Sequence, residues 1–327
     1  MASPIDIAIV IPVYRGANTL PELIAEIYAA TTGVTPGGRE YTVAEVVLVW
    51  DRGPDGSPAV MRELSARYEN VRSIWLTRNV GQHGATLAGI ASTGSQWIVT
   101  MDEDGQHDPA LIPVFIDAAF DNRARVAYLD PTNRPPHGVM RNLGSRVAKW
   151  VYSKLVDASN ATAFNSFRLI HGEVGRSVAA YTGPGVYLDV ALGWVADRAI
   201  LVPGEARIEG RPASSYTYRK LIGHAIRMIV TSGTKPLRVI AVLGVILAFG
   251  GFLLTLVVLY QRFFNAIPVQ GWTSLMIVLL LTGGSLLVAM AVIAEYLGIA
   301  VSAAMGKPLY TIGTDDTNVF DDVDAHA

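Results

Sequence analysis

Three consecutive acidic residues, Asp102, Glu103 and Asp104, follow an apolar, β-prone run from Trp97 to Met101. In an α/β domain such a run is typical of a buried strand, and ligands bind where the strand ends. Two carboxylates separated by one residue can share a divalent cation, and Mg²⁺ or Mn²⁺ suits such hard oxygen ligands. Most acidic clusters are solvated loops, so it is the position at a strand end that favours a metal site here.

The elements that must position these acids form an alternating series of strands and helices. Apolar runs predict strands, and helical spacing of apolar residues predicts the helices between them. The predicted strands are 5–12, 44–50, 71–76, 97–101 and 125–129. The predicted helices are 19–31, a helix to Tyr68 that is capped by Ser57 and Pro58, 81–92, and a helix that is capped by Asp108 and Pro109. This alternation predicts an α/β fold with a mostly parallel, doubly wound sheet whose site lies along the carboxyl edge. The chain has no GxGxxG or Walker P-loop, which disfavours the nucleotide folds that carry those signatures.

Chemically useful side chains follow each of the first four predicted strands. They are Tyr14, Asp51, Arg78, Asn79, Asp102 and Asp104. An aromatic ring, hydrogen-bonding groups, an arginine and a pair of carboxylates in one crevice would suit a nucleoside diphosphate. Two alternatives stay open. The segment from Asp51 to Ser57 could be a plain turn that caps a helix, and His83 and His107 could be ligands or surface residues.

The composition is too apolar for a wholly soluble protein. The 327 residues are 51% hydrophobic and 17% charged, with a mean hydropathy of +0.34. The stretches 239–261 and 263–294 contain no charged residue, and about 20 apolar residues suffice to span a bilayer as a helix. They predict two transmembrane helices in a hairpin; two buried core helices are the alternative.

The charges around these stretches predict an orientation. The basic residues Lys220, Arg227, Lys235 and Arg238 precede the first span, so the large N-terminal part is expected in the cytoplasm.

The first residues do not resemble a signal peptide. The chain has no cysteine, which excludes disulfides and thiolate metal sites, and its net charge of −2 gives no indication of nucleic-acid binding. The paired glycines 250–251 and 283–284 suit close helix packing, also between copies of the chain.

Several motifs follow one another in a characteristic order. They are Ile11-Pro12-Val13-Tyr14, Asp51 to Ser57, Arg78-Asn79-x-Gly81, Met101-Asp102-x-Asp104-x-Gln106-His107, Ser166-Phe167-Arg168-Leu169, the segment from Arg207 to Leu221, Glu295-Tyr296-Leu297-Gly298 and Lys307-Pro308-Leu309-Tyr310. Together they resemble glycosyltransferase family 2, the GT-A fold. The resemblance is closest to polyprenyl-phosphate glycosyltransferases of the dolichol-phosphate-mannose-synthase type.

This resemblance implies an inverting transfer of one sugar from a nucleotide-sugar donor, expected to be a UDP-sugar, to a polyisoprenyl (undecaprenyl-type) phosphate. It implies a multi-pass protein of the inner (plasma) membrane, with a catalytic domain over 1–218, a juxtamembrane amphipathic helix over 219–235, two transmembrane helices over 236–300 and a cytoplasmic tail over 301–327. Asp102, Asp104 and Arg168 would be catalytic, with Mg²⁺ or Mn²⁺ held by Asp102, Asp104 and Gln106. Donor binding would fall to Pro12, Tyr14, Asp51, Asn79, Gln82 and Asp102. The acceptor phosphate would meet Arg168, with Arg207 or Arg211, and Ser214, Ser215 and Tyr216.

The chain departs from the familiar pattern at three places. Trp50 stands where close relatives carry an acid, Arg15-Gly16 replaces Asn-Glu, and Ser166 replaces an acid proposed as catalytic in some relatives. We therefore name no general base, although Asp157 and Asp189 are acids worth testing. Two alternatives remain: a non-catalytic membrane partner with this fold, or a family 2 transferase with another acceptor, such as a diacylglycerol-type lipid or a growing polysaccharide.

Overall fold

The computed structural model describes residues 3–133, 165–183, 186–207, 235–264 and 271–315. Within these ranges the strands are β1 (Ile5–Val13), β2 (Thr32–Val34), β3 (Glu40–Trp50), β4 (Val71–Leu76), β5 (Trp97–Thr100), β6 (Val126–Pro131), β7 (Arg168–His171), β8 (Ala199–Gly204) and β9 (Ile312–Gly313). The helices are α1 (Leu20–Ala29), α2 (Ser57–Arg67), α3 (Gln82–Ala91), α4 (Ile112–Asp121), α5 (Gly172–Tyr181), α6 (Leu188–Val195), α7 (Lys235–Phe264) and α8 (Trp272–Ala304), and a 3₁₀ turn (Pro109–Leu111) leads into α4.

The described strands form one mixed sheet in the order β8-β6-β7-β5-β1-β3-β4-β9, and β2 pairs with β3 outside this path. The chain steps from β1 to β3 and then to β4, after which α3 returns it to β5 on the other side of β1. The strand order therefore reverses between β1 and β5, and in open α/β sheets ligands bind at the carboxyl ends of the strands beside such a reversal.

Apolar side chains cover both faces of the sheet, as a mostly parallel sheet requires. Alternate residues of β1 show this division: Ile7, Ile9 and Ile11 pack with α1, α2 and α4, whereas Val10 packs with α3, α5 and α6. The sheet is thus a buried layer between two layers of helices. Polar side chains that bind a ligand are therefore expected at the edges of the sheet.

The predicted alternation is confirmed, with three antiparallel additions. The strand β7 runs antiparallel to β5 and β6, β2 runs antiparallel to β3, and β9 runs antiparallel to β4. The short strand β2 has one partly buried residue between two exposed ones, and so it carries no hydrophobic pattern that could reveal it in the sequence.

The start of α2 differs from the prediction by one position. Gly56 occupies the cap, and the helix begins at Ser57. The hydroxyl of Ser57 donates to Asp55 Oδ1 at 2.7 Å and accepts from the Gly16 N–H at 2.9 Å. Both of its partners therefore precede the helix in sequence, and it does not cap the helix. The cap predicted at Asp108 is confirmed, because its Oδ1 accepts from the Ala110 N–H at 2.9 Å.

The two long C-terminal helices carry exposed apolar side chains along their described lengths, including Val245 and Phe249 on α7 and Leu281 and Leu287 on α8. Among the described residues, one segment, Leu281–Ala304, is long and apolar enough to cross a membrane, and Leu237–Leu253 is apolar but shorter. The helix α8 extends past the predicted boundary at residue 300.

The segment after α8 returns to the α/β domain. Its strand β9 pairs with β4, and the Thr77 N–H donates to the Thr311 carbonyl at 3.0 Å. The Arg62 guanidinium binds both carboxylate oxygens of Asp315 at 2.5 Å. Residues 305–315, which we call the return segment, thus cover the β4 edge of the sheet.

Some predicted residues lie outside the described ranges. They are Arg211, Ser214, Ser215 and Tyr216 of the predicted acceptor site, the acid Asp157, and almost all of the predicted juxtamembrane helix.

Candidate active site

The Asp102 carboxylate lies at the carboxyl end of β5, where hydrogen bonds hold both of its oxygens. Gln82 donates from Nε2 to Oδ1 at 2.5 Å, and Ser166 donates from Oγ to Oδ2 at 2.6 Å. The side chain remains 27% exposed. Asp102 is therefore oriented by the first residue of α3 and by the residue two before β7, and it is still accessible to a ligand.

The imidazole of His107 binds the backbone of the same residue. Its Nδ1 accepts the Asp102 N–H at 2.9 Å, and its ring stacks on Phe167 with centroids 4.9 Å apart. Burial lowers the pKa of His107, although the nearby Asp102 and Asp104 carboxylates oppose this shift. A neutral ring that accepts at Nδ1 fits both observations, so His107 is a buried support and not a surface residue.

Asp104 and Gln106 form a tight turn beyond Asp102. The Asp104 Oδ1 accepts the Gln106 N–H at 3.1 Å, and Gly105 between them has a φ of +74°, a value that favours glycine. The Gln106 side chain is exposed. Both Asp102 and Asp104 thus lie in one short loop at the carboxyl edge of the sheet.

This loop fits a cation that takes few protein ligands. Among the described residues, no group of three or more His, Asp or Glu side chains is placed to hold a metal ion. Mg²⁺, however, is commonly bound by one or two carboxylates together with substrate phosphates and waters. The donor chemistry of Asp102 and Asp104 therefore fits a metal held jointly with a substrate.

The middle acid, Glu103, contacts a different strand end. Its Oε2 accepts the Tyr14 N–H at 2.9 Å, and its Oε1 accepts the Arg15 N–H at 2.9 Å. These bonds join the loop after β5 to the loop after β1 across the point where the strand order reverses. The sequence pattern did not single out Glu103, because the spacing of Asp102 and Asp104 drew attention to its neighbours.

Asp51 organises the loop after β4 from the end of β3. It is 3% exposed, and its two oxygens accept the Val80 and Gly81 N–H groups at 2.7 and 2.9 Å. Burial raises the pKa of Asp51, and the two backbone hydrogen bonds partly offset this rise. Asn79 also donates to the Asp51 carbonyl at 2.9 Å. The structure therefore joins Asp51 and Asn79 directly, and their predicted contacts with a nucleoside stay predictions.

The turn from Gly53 to Ser57 supports the β1 loop as well as capping a helix. Asp55 Oδ2 accepts the Ala17 N–H at 3.2 Å. Burial alone would raise the pKa of Asp55, but hydrogen bonds from Ser57, Ala17 and the local backbone hold that pKa below its usual value. A Cβ atom on Gly53 would lie 1.5 Å from the Tyr14 carbonyl oxygen, so only glycine permits this close approach.

The departure at Trp50 has a packing explanation. The indole meets Trp75 edge-on with centroids 5.6 Å apart, and the Arg52 guanidinium lies 4.8 Å from the Trp50 ring. Arg52 adopts a φ of +54° and donates from Nε to the Leu76 carbonyl at 2.8 Å. An aromatic and cationic cluster thus stands where relatives are expected to carry an acid.

The predicted donor residues share one edge of the sheet. Pro12 lies near the end of β1, and the side chains of Tyr14, Asn79 and Gln82 are exposed beside it. Hydrogen bonds link the loops that carry them: Glu103 joins β5 to β1, Asp51 joins β3 to β4, and Gln82 joins α3 to β5. The convergence expected from the sequence is confirmed for these loops.

Arg168 lies in a buried cluster next to this edge. It is 3% exposed and forms an ion pair through Nη1 with Asp189, and its guanidinium carbon is 5.9 Å from the Tyr128 ring centroid. Burial raises the pKa of Asp189, which Arg168 opposes, and burial with Asp189 raises that of Tyr128. The structure thus shows Arg168 as a partner of Asp189, and its role towards an acceptor stays a prediction.

Arg207 connects the acidic loop to α1. Its Nη1 donates to Glu26 at 2.6 Å and its Nη2 donates to Asp108 at 2.8 Å, while its N–H donates to the Gln106 carbonyl at 3.0 Å. The bond to Glu26, aided by Asp108, raises the pKa of Arg207 against a smaller opposing effect of burial. A partly exposed cation therefore borders the loop that carries Asp104 and Gln106.

Comparison with known proteins identifies this arrangement. Residues 8–177 match the sequence profile described as "Glycosyl transferase family 2". This chain belongs to that family. The match contains the ends of β1, β3, β4 and β5, together with the loops that carry Tyr14, Asp51, Asn79 and Asp102. Membership in family 2 and the α/β GT-A fold with a mostly parallel, mixed sheet are therefore shown.

Three solved structures illustrate the similarity in fold. TarS 1–349 of S. aureus in complex with UDP-GlcNAc is 12% identical, with a TM-score of 0.47 over 70% of this chain and 66% of that one. Mannosyl-3-phosphoglycerate synthase from Rubrobacter xylanophilus is 13% identical, with a TM-score of 0.47 over 72% and 74%. Glucosyl-3-phosphoglycerate synthase from Mycobacterium tuberculosis, in complex with Mn²⁺, UDP and glucosyl-3-phosphoglycerate, is 12% identical, with a TM-score of 0.43 over 70% and 79%.

This chain covers only part of the length of TarS 1–349. In another structure of TarS 1–349, the match spans 59% of that chain at a TM-score of 0.44.

Proposed function

We propose that this protein is a membrane-anchored, inverting glycosyltransferase that moves one sugar from a nucleotide-sugar donor, expected to be a UDP-sugar, to a polyisoprenyl phosphate of the undecaprenyl type. The observation that carries the proposal is the accessible Asp102 carboxylate, which Gln82 and Ser166 orient beside the reversal of strand order in a chain of family 2. A carboxylate fixed in this way at a ligand-binding edge suits a donor diphosphate with its cation.

The proposed cation is Mg²⁺ or Mn²⁺, held by Asp102 and Asp104 with Gln106 beside them. When bound, it would supply Lewis-acid neutralisation of the departing nucleoside diphosphate. The residues of the chain do the positioning. Gln82 and Ser166 hold the Asp102 oxygens, and Asp51 shapes the loop that presents Asn79. In-line placement of two bound reactants can lower the barrier by on the order of 7–11 kcal/mol.

The proposed acceptor needs little help with proton transfer, because a phosphate oxygen is already anionic near neutral pH. Its binding is assigned to Arg168, Arg207 or Arg211, Ser214, Ser215 and Tyr216, as the family resemblance implies. Arginine forks suit the planar recognition of phosphate. Both described arginines of this set would have to share their guanidinium groups with acids: the partly exposed Arg207 with Glu26 and Asp108, and the buried Arg168 with Asp189.

A bilayer is proposed as the partner of α7 and α8. Their exposed apolar side chains exceed what soluble proteins usually leave uncovered, and lengths of 30 and 33 residues are sufficient to span a membrane. The return segment pairs with β4, which supports a hairpin that begins and ends on the side of the α/β domain.

We propose a multi-pass protein of the inner (plasma) membrane with this domain in the cytoplasm and with boundaries near residues 218, 235 and 300. A homo-oligomer is compatible with the glycine pairs.

The experiment uses the full-length protein in detergent with undecaprenyl phosphate, MgCl₂ or MnCl₂ and a panel of nucleotide sugars. The release of nucleoside diphosphate is measured with and without the lipid. We expect lipid- and metal-dependent release from one donor, and almost none from Asp104→Asn. That variant should fold, because the amide oxygen can still accept the Gln106 N–H. Asp121→Asn, which changes an exposed carboxylate on α4, is the matched control.

Each other result contradicts part of the proposal. Full activity of Asp104→Asn would exclude the metal assignment, and release that does not depend on the lipid would point to another acceptor. Nucleotide binding without turnover across the panel would favour a non-catalytic partner with this fold.

A further inference from the structure

The backbone N–H and carbonyl groups of Tyr14 are each fixed by a residue distant in sequence. Glu103 accepts the Tyr14 and Arg15 N–H groups with its two oxygens, and Gly53 lies against the Tyr14 carbonyl oxygen closely enough to exclude any Cβ atom. The backbone of the β1 loop is therefore held between the ends of β5 and β3. Despite this restraint, the Tyr14 side chain is 42% exposed.

Gly16 makes room for the Glu103 carboxylate. A Cβ atom on Gly16 would lie 2.6 Å from Glu103 Oε2, closer than real Cβ contacts allow, and 2.9 Å from Leu20 Cγ. Glu103 is thus one of two side chains that exclude a Cβ atom at position 16, and Leu20 is the other. The Gly16 φ is not in the left-handed region, so it is the space and not the backbone conformation that calls for glycine.

We infer that Glu103 is a positioning residue for the nucleotide donor, acting through the backbone of Tyr14 and Arg15, and that it is not a metal ligand. A carboxylate that accepts two adjacent N–H groups presets the direction of the Tyr14 side chain before a ligand arrives. The ring, with the Arg15 guanidinium 5.6 Å from its centroid, then offers a flat, partly exposed face that suits a nucleobase. The three acids thus have two roles. Asp102 and Asp104 would bind the donor diphosphate with its cation, and Glu103 would fix the backbone of Tyr14 and Arg15 beside the nucleoside.

This inference rests on the proposed function, since it assigns the nucleoside to Tyr14. The substitution Glu103→Gln tests it, because the amide retains one acceptor oxygen and places an NH₂ group opposite the other N–H. Three readouts are measured on the full-length protein in detergent: hydrogen exchange of the Tyr14 and Arg15 amides, the UDP dissociation constant in the presence of MnCl₂, and the Mn²⁺ concentration needed for half-maximal UDP binding.

We expect faster exchange at these two amides and a UDP dissociation constant raised about tenfold, the loss typical of a hydrogen bond to a charged group. The Mn²⁺ requirement should stay unchanged. The comparison variant Asp104→Asn should do the opposite, with a changed Mn²⁺ requirement and unchanged exchange at Tyr14 and Arg15. This opposition separates a positioning role from general loss of structure.

The pairing with Gly16 is tested by a double-mutant cycle. Gly16→Ala should raise the UDP dissociation constant more in the presence of Glu103 than in the Glu103→Ala background, where the carboxylate is gone. The Leu20 contact is common to both backgrounds and cancels in the cycle.

Two results would overturn the inference: unchanged amide exchange and UDP affinity in Glu103→Gln, or a shift of its Mn²⁺ requirement like that of Asp104→Asn. If the unmodified protein binds neither UDP nor GDP with Mn²⁺, the proposed function fails. The amide-exchange comparison and the thermal stability of the four cycle variants then still decide whether Glu103 holds the β1 loop.

Discussion

The Ser166 hydroxyl donates to Oδ2 of Asp102 at 2.6 Å, across 64 positions of sequence. The Ser166 carbonyl in turn accepts from the Thr100 hydroxyl at 2.7 Å, which ties the segment before β7 to the end of β5. The position at which some relatives are expected to carry an acid is therefore used here to orient Asp102. A second acid there would place two like charges at hydrogen-bond distance.

Ser166→Ala should weaken metal-dependent sugar transfer. Asp102 would keep the bond from Gln82 and lose the one to Oδ2, so its orientation would be less well defined. We expect nucleotide release about tenfold lower at limiting MnCl₂, the cost of one hydrogen bond to a charged group, with partial recovery at saturating MnCl₂. Ser65→Ala removes a hydroxyl on α2 that bonds the Ser73 hydroxyl of β4 at 2.9 Å and serves as control. Equal activity of the two variants would contradict the role of Ser166.

Gly53→Ala should destabilise the protein far more than Gly56→Ala, three residues away. An added Cβ atom at Gly53 lies 1.5 Å from the Tyr14 carbonyl oxygen, whereas at Gly56 it meets nothing within 4 Å. The first variant must displace the β1 loop, which we expect to cost about 1–3 kcal/mol, the range of overpacked sites. Thermal unfolding of the two variants measures the difference, and similar melting temperatures would refute the close approach.

The pH dependence of stability should include a contribution from His171 at the start of α5. Burial lowers its pKa from the ordinary 6.5, Glu173 opposes the shift, and Arg125 and Arg176 add to it. The unfolded chain therefore binds this proton more readily, so the contribution is complete above pH 6.5 and is lost as the pH falls through the lowered pKa.

His171→Phe keeps an aromatic ring against Trp97, which the imidazole meets edge-on at 5.0 Å, and removes the titration. Between pH 7.5 and 5.5 its melting temperature should fall less than that of the unmodified protein. His107 titrates in the same direction but is present in both proteins, so it cancels in the comparison. Parallel curves would show that His171 contributes nothing.

The ion pair between Arg62 and Asp315 should hold the return segment to the domain. The side chains are 38% and 15% exposed, so solvent screening limits the coupling energy to about 0.5–1 kcal/mol. A double-mutant cycle with Arg62→Ala and Asp315→Ala measures it through thermal unfolding, and limited proteolysis reports release of residues 305–315. Arg72→Ala breaks a comparable pair with Glu45 and should leave proteolysis unchanged; if all three variants are cleaved alike, the pair does not hold the segment.

Local pattern was enough to predict much of the fold. The strands that precede Tyr14, Asp51, Asn79 and Asp102 were predicted to within a few residues, because short apolar runs bounded by turn residues are strong signals. The carboxyl-edge site followed from the alternation of strands and helices. The antiparallel strand β7 did not, since its direction depends on a long connection and not on its own four residues.

The partners within the site could not be predicted in the same way. Glu103 reaches Tyr14 across 89 positions, and Arg168 reaches Asp189 across 21. A hydrogen bond between distant loops leaves no periodic signature. An acid between two aspartates looks like part of the same cluster until the fold shows that its oxygens point towards β1.

The segment that follows α8 returns the chain to the sheet within a few residues. The Arg78 guanidinium donates to the Pro308 carbonyl at 3.0 Å, and β9 pairs with the end of β4. Six residues separate Ala304, the last residue of α8, from Thr311, whose carbonyl accepts the Thr77 N–H. A connection this short reaches at most about 25 Å. The carboxyl end of β4 should therefore stay close to the end of α8, so a ligand at this edge of the sheet would lie near whatever surrounds that helix end.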